Sequence, residues 1–308
     1  MIQVLFALAY LLVFFGVVFL VLWFRKRSRQ ERAPFPENTR LLRGVGESLQ
    51  RKIAELDEKI ETALVTGLVG PVLTLGAFWG LAIWLKNPAG LITAAIGVIA
   101  FSCLLVIQIR HLATLIDRRR NYRLGLFGER IVAEHLEPLK LSGHRVFHDV
   151  PAGDPPAGST TAPFNLDHVV VGPAGVFAIE TKTRRKGRTR VGFMAHEIIY
   201  DGRALAYPWG EDQYGLEQAA RQSAWLATFF QKQLGRPVPV QPLLVFPGWM
   251  IIRKGRGAVN VLNPRELPAA IERPAPSGHT GVAVPPLDAA AIDLIARQLD
   301  ARCRDVEL

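Results

Sequence analysis

Three uncharged, strongly apolar stretches, residues 1–24 (MIQVLFALAYLLVFFGVVFLVLWF), 64–85 and 88–109, dominate the first third of the chain. Each reaches the ~20 residues that a helix needs to cross the hydrocarbon layer of a bilayer. The first is followed, not preceded, by its basic cluster (Arg25, Lys26, Arg27, Arg29), the reverse of a cleaved signal peptide. The second and third are separated by only Lys86 and Asn87, so they predict a helical hairpin. In the segment 25–63 between the first two stretches, Val45, Leu49, Ile53, Leu56 and Ile60 recur at helical spacing. This amphipathic, coiled-coil-like pattern suits a helical seam, the bilayer surface or the face of a following domain.

Charge placement orients these spans. Basic residues cluster after the first stretch and again after the third, at Arg110, Arg118, Arg119 and Arg120. Positive residues stay on the cytoplasmic side. The expected topology is a multi-pass protein of a bacterial inner (plasma) membrane with its amino terminus outside. Residues 25–63 are then cytoplasmic, 110–121 form a basic juxtamembrane linker, and everything that follows is cytoplasmic. Gly76 and Gly80 make a GxxxG spacing, common in membrane helices. The transmembrane and amphipathic helices leave room for a homo-oligomer.

Beyond residue 122 the pattern changes to alternating short apolar runs and amphipathic helices. Leu124, Phe127, Ile131, Val132 and Leu136 trace a helix whose apolar face is shared by Glu129. Asn165–Val171 and Val176–Lys182 read as strands, as do Thr189–Phe193, Glu197–Tyr200, Val240–Phe246 and Ala258–Leu262. Glu211–Leu234 and Pro264–Ile271 read as helices, and after a Pro/Gly-rich loop so does Asp288–Arg304. The prediction is an α/β domain over 122–274, then a loop and carboxy-terminal helix over 275–308.

Candidate chemistry lies in FNLDHVVVGPAGVFAIETKT. A hairpin closing symmetrically over the four-residue turn GPAG pairs Val171 with Val176, Val169 with Ala178, Asp167 with Glu180 and Asn165 with Lys182. All eight side chains then share one face, while His168, Val170, Phe177 and Ile179 form an apolar face opposite. Carboxylates facing each other across a strand pair repel unless a cation lies between them. A divalent metal on Asp167 and Glu180 removes that conflict, and Lys182 is placed to act on a water beside it. The alternative is a solvated Glu180–Lys182 pair with Asp167 shaping a strand end. Glu129, at the margin of a buried face, needs a partner in metal, salt bridge or solvent.

The net charge of +10 is spread unevenly: residues 122–308 hold 22 basic against 19 acidic side chains. Most of the surplus therefore belongs to the membrane region and its lipid bilayer contacts. What remains is local: Arg184, Arg185, Lys186, Arg188 and Arg190 follow Lys182 directly, a run suited to backbone phosphates or to a solvated loop. Two cysteines, Cys103 and Cys303, give no CxxC zinc pair, and no GxxxxGK[ST], HExxH or GxSxG motif occurs.

Several separated segments together resemble the NERD (nuclease-related domain) family, a branch of the PD-(D/E)xK nuclease superfamily. They are GLFGE (125–129), NLDH (165–168), GPAGVFAIETK (172–182), LEQAARQ (216–222) and LLVFPGW (243–249). The resemblance implies a restriction-endonuclease-like αβββαβ core, preceded here by an all-α transmembrane region of three helices. It implies metal binding by Asp167 and Glu180, action of Lys182 on the hydrolytic water, an additional acidic residue at Glu129, and a glutamine facing the site at Gln218. Leu-Asp stands where the superfamily motif has Pro-Asp. The implied activity is Mg2+- or Mn2+-dependent hydrolysis of nucleic acid, DNA favoured over RNA. The alternative is a membrane-tethered nucleic-acid-binding or assembly protein that keeps the fold without cleaving.

Overall fold

The structure is a computed structural model that describes residues 15–16, 19–20, 23, 39–85, 87–152, 164–274 and 286–307. The expected first span, 1–24, lies outside the described residues apart from Phe15, Gly16, Phe19, Leu20 and Trp23. The chain divides into two compact units: one comprises residues 1–39, 57–117 and 307–308, the other residues 40–56 and 118–306.

In chain order the elements begin with β1 (Arg40–Leu42), α1 (Glu47–Leu85) and α2 (Ala89–Leu141). Three strands follow, β2 (Arg145–Pro151), β3 (Asn165–Gly172) and β4 (Gly175–Thr181). Next come β5 (Glu197–Tyr200), β6 (Leu205–Tyr207), β7 (Gly210–Asp212) and helix α3 (Tyr214–Leu234). The remainder is β8 (Val240–Val245), β9 (Met250–Arg253), β10 (Asn260–Leu262), α4 (Leu267–Glu272), α5 (Ala289–Cys303) and β11 (Arg304–Glu307).

The first unit is a helical hairpin over 57–85 and 89–117, turning at Asn87–Pro88. Both helices are long and apolar enough to cross a membrane, and their apolar windows are only 6% and 11% buried. A core helix of a soluble protein would be mostly covered; here Leu68, Trp79, Trp84, Leu91, Ile99 and Ile107 stand exposed. The two helices approach each other at Gly97 against Phe78 and at Gly67 against Gln108, whereas among the described residues nothing lies within 4 Å of a Cβ placed at Gly76 or Gly80. Residues 110–121 lie within α2, which runs unbroken to Leu141.

The second unit is built on a five-stranded mixed sheet in the order β10-β8-β4-β3-β2. β2, β3 and β4 are antiparallel, and β8 lies parallel to both β4 and β10. All seven residues of β4 are buried, as expected of a strand covered on both faces. On one face Val170, Phe177 and Ile179 pack with Val132, Leu136 and Leu139 of α2 and Leu267 and Ile271 of α4. On the other Val169, Val171, Val176 and Ala178 pack with Leu226 and Phe230 of α3 and Ile295 and Leu299 of α5. Strict alternation along β3 and β4 thus assigns each side chain to one of two apolar layers.

A second sheet, β7-β6-β5-β9, is joined to the first through a core containing Tyr200, Tyr207, Leu216, Leu244, Phe246 and Trp249. Its three- and four-residue strands include Glu197–Tyr200, as predicted, but Thr189–Phe193 is loop and turn, not strand. The β3–β4 turn is also shorter than the sequence suggests. Gly172 pairs with Gly175, which leaves only Pro173 and Ala174 in the connection.

The amphipathic segment before the hairpin docks in part on the second unit. β1 pairs with β11, and Arg43 N–H donates to the Cys303 carbonyl at 2.9 Å. Gly46, at φ +63°, sits where a Cβ would fall 2.4 Å from Leu126 of α2 and 3.0 Å from a Glu129 oxygen. A positive φ together with that close approach makes glycine the residue this junction requires.

Candidate active site

The β3–β4 ladder keeps the expected register as far as His168 opposite Ile179. Immediately beyond, where Asp167 and Glu180 would be the next pair, the regular pairing stops. The Thr181 N–H donates instead to Asp167 Oδ2 at 2.6 Å. Two carboxylates in direct opposition disfavour continued pairing. The ladder opens there, and the two acids stand at the end of the sheet where β4 and β8 finish. The crevice beyond the carboxyl ends of parallel strands is the common location for sites in α/β proteins.

Glu180 is 2% exposed, and both its oxygens are engaged. Oε1 accepts from Lys182 Nζ at 2.6 Å and Oε2 from Gln222 Nε2 at 2.5 Å. Lys182 Nζ also donates to Gln218 Oε1 at 2.7 Å and lies 5.3 Å from the centre of the Tyr214 ring. The Lys182 backbone is tied to the sheet, its N–H donating to the Val245 carbonyl at 2.9 Å. The ammonium is therefore held by a carboxylate of β4, two residues earlier in the chain, and an amide from α3.

Gln222 is the member of this set that the sequence did not mark as functional. It is 1% exposed, and its Nε2 also donates to the Asn165 carbonyl at 3.3 Å. Its signal was present in the four-residue spacing from Gln218, which places both amides on one face of α3.

Glu129 is 7% exposed on the α2 face that also carries the fully buried Val132 and Leu136. Burial, followed by the charges of Asp149 and Glu180, pushes its carboxyl from 4.5 up to about 8, against the opposing pull of Lys182 and Lys52. Burial and the charges of Glu180 and Glu129 likewise push Asp167 well above the usual carboxylate range, with the Thr181 N–H and Lys182 acting the other way. Three carboxyl groups thus crowd one lysine.

A fourth carboxylate borders them. The flanking pairs His148–His168 and Val150–Leu166 place Asp149 beside Asp167 across β2 and β3. Asp149 is 2% exposed and adopts φ 48°, a region that Asp tolerates better than most residues. Its carboxylate accepts from Arg43 Nη1 (2.9 Å), Ser48 N (2.8 Å), Ser48 Oγ (2.7 Å) and Asn165 Nδ2 (2.9 Å). The start of α1 is thereby bonded to the border of the acid cluster.

Behind the site, on the apolar face, His168 and His148 meet through their Nδ1 atoms at 2.8 Å. Burial lowers both, His148 to about 4, so the pair is neutral and one ring donates to the other.

The basic run occupies the rim. Arg184 lies 3.7 Å from Asp212, Arg185 donates to Asn121 Oδ1 at 3.3 Å, and Arg190 donates to the Tyr207 carbonyl at 3.3 Å. All five of its cations, Arg188 and Lys186 included, are exposed.

The donor set suits a hard divalent ion. Every candidate ligand is a carboxylate oxygen, and the raised acids are stabilised in their ionised form by an added cation. Among the described residues, no three His, Cys, Asp or Glu side chains are grouped so as to hold a metal as they stand. Each Glu180 oxygen accepts one hydrogen bond, from Lys182 or Gln222, and keeps a second lone pair that a metal could take.

No curated protein and no solved structure matches this chain. Residues 124–247, the stretch that supplies Glu129, Asp149, Asp167, Glu180, Lys182, Gln218 and Gln222, match the family model of NERD, the nuclease-related domain.

Proposed function

We propose that the chain is a membrane-anchored, metal-dependent nuclease that hydrolyses phosphodiester bonds of nucleic acid, DNA in preference to RNA. The observation that carries this reading is the Lys182 ammonium, held between Glu180 and Gln218 within a cluster of repelling carboxylates. The match over residues 124–247 supports a nuclease-related chemistry for that cluster. The order helix, three antiparallel strands, helix, parallel strand supports a restriction-endonuclease-like core of the PD-(D/E)xK kind. The two uncovered apolar helices support anchoring, and the basic clusters flanking them support a domain on the cytoplasmic side of a bacterial inner membrane.

Asp167 and Glu180 are the residues to hold Mg2+ or Mn2+. When bound, such an ion supplies Lewis-acid polarisation of the phosphoryl oxygen and a more acidic water. Lys182 places a positive charge where the phosphate gains negative charge, and Gln218 fixes its direction. Gln222 orients Glu180. Glu129 holds a proton at neutral pH while the cluster lacks a cation, and gives it up when one enters. The rim cations hold backbone phosphates without reading sequence.

The test uses the full chain in detergent with linear and circular DNA in Mg2+, Mn2+ or EDTA. Cleavage is expected only with metal, and it is expected to vanish in Asp167→Ala and Lys182→Ala while circular dichroism stays unchanged. Equal activity in wild type and both variants overturns the assignment.

One observation favours a second reading, a tethered nucleic-acid-binding or assembly protein that cleaves nothing: both Glu180 oxygens are already satisfied by the protein. Calorimetric titration with Mg2+ and Mn2+ separates the two. Binding that disappears in Glu180→Gln supports the nuclease, and a folded protein that takes up no metal supports the scaffold.

A further inference from the structure

The cationic run beyond Lys182 is pinned to an aromatic cluster of the second sheet. Trp249 Nε1–H donates to the Arg184 carbonyl at 3.3 Å, and Lys186 Nζ lies 5.6 Å over the Trp249 ring. A Cβ at Gly187 would fall 3.3 Å from the Trp209 ring, which stacks on Tyr207 with centroids 5.3 Å apart. Arg190 N–H donates to the Pro208 carbonyl at 2.8 Å, closing the far end. The chain path between Lys182 and Arg190 is therefore tied to the second sheet at Arg184 and Arg190, and all five basic residues along it are exposed. A pre-ordered row of cations loses little conformational entropy on meeting phosphates.

At the inner end of this row stands an aromatic ring that is more than half exposed. Tyr214, the first residue of α3, is 57% exposed, and its backbone N–H is anchored to Asp212 Oδ1 at 3.0 Å. Its ring lies against the lysine that Glu180 and Gln218 hold. A ring on a fixed backbone, next to the reacting centre and continuous with a row of cations, has the two parts of a single-strand site: a stacking surface and a phosphate track. In a duplex both faces of an internal base are covered by its neighbours, so a protruding ring finds no free face to stack on.

We propose that Tyr214 stacks on an unpaired base beside Lys182, with Arg184 and Lys186 on the phosphates of the same strand. The substrate is then single-stranded nucleic acid or a single-stranded stretch within a duplex. This inference rests on the nuclease reading of the Lys182 site and narrows it.

The test is equilibrium binding of the full chain in detergent with EDTA present, by fluorescence anisotropy, to a labelled hairpin-free oligonucleotide and to its duplex. The single strand is expected to bind more tightly than the duplex. Tyr214→Ala is expected to weaken single-strand binding about tenfold and to leave duplex binding alone, while Tyr214→Phe keeps the wild-type affinity. Replacing Arg184 and Lys186 together by Gln is expected to weaken both ligands and to flatten the single-strand salt slope by roughly 1.4. Duplex binding as tight as single-strand binding, or an unaltered Tyr214→Ala, overturns the single-strand inference and leaves the nuclease reading standing. Binding of neither ligand also overturns the single-strand inference, and the nuclease reading itself falls only if the metal-dependent cleavage assay fails too.

Discussion

Glu129→Gln isolates what the carboxylate cluster costs the fold. The native carboxyl titrates at about 8 against an ordinary 4.5. Between those two values the unfolded chain has released its proton and the native chain still holds one, so stability falls as pH rises through this window. At about 1.4 kcal/mol per unit, the full displacement sets a ceiling of about 5 kcal/mol, reached above pH 8. Relaxation of the surroundings and entry of water bring the expected loss to about 2–5 kcal/mol. The substituted amide has no proton to lose, so the variant is expected to match wild type near pH 4 and to exceed its stability by that margin at pH 9. Hydrogen exchange of the β3 and β4 amides in the metal-free full chain, corrected for intrinsic rates, reads the difference directly. Parallel pH dependences in wild type and Glu129→Gln would refute the argument, because they would mean that Glu129 ionises in the native state as it does in the unfolded one.

The His148–His168 pair has the opposite sign: with His148 lowered to about 4, stability is lost as pH falls from about 6.5 to 4, by about 3 kcal/mol. Exchange of β2 amides in wild type and in a His148→Phe variant, whose loss on acidification is smaller, checks this. Asp149→Ala takes from the nearly buried Arg43 the carboxylate it bonds and is expected to cost about 3–5 kcal/mol, seen as faster proteolysis within 40–56. Gln222→Leu strands a buried Glu180 oxygen and is expected to destabilise by about 1–3 kcal/mol in EDTA. The same variant, by freeing that oxygen, is expected to lose less stability when saturating Mn2+ is present; an identical loss with and without metal would count against Glu180 as a ligand.

The hairpin at the centre of the site was legible because β3 and β4 lie between two apolar layers. Alternation there leaves one register that buries Val169 and Ala178 on one side and Val170 and Phe177 on the other, and the acids follow from it. The end of the pairing was not legible: Asp167 bonding to Thr181 N–H depends on repulsion that appears only once the strands are assembled. Strand β2 escaped notice, as did the role of Asp149, whose partner Arg43 lies 106 residues earlier. The second sheet escaped for another reason. Strands of three or four residues such as β6 and β7 carry too little periodicity, and their cohesion comes from Tyr207, Phe246 and Trp249 meeting in three dimensions. The same cluster explains why Thr189–Phe193 is a loop. Its backbone bonds go to Pro208 and to its own turn, and the Arg190 guanidinium lies 4.6 Å over Phe193.

The acid cluster and its borders divide into two electrostatic kinds, and the division bears on function. Asp149 receives hydrogen bonds from Arg43, Ser48 and Asn165. Glu129 and Asp167 are in the reverse condition, raised by burial and by each other. Lys182 opposes that rise in both, helped by Lys52 at Glu129 and by the Thr181 N–H at Asp167. If the site served structure alone, the arrangement used for Asp149 would also serve them, since an arginine or a set of backbone amides removes the penalty at no loss to packing. Instead the raised acids surround a lysine held by two side chains at the open end of the sheet. Groups displaced from their ordinary titration range by burial and like charge, beside an oriented cation, are the arrangement expected where a protein must admit charge during its work.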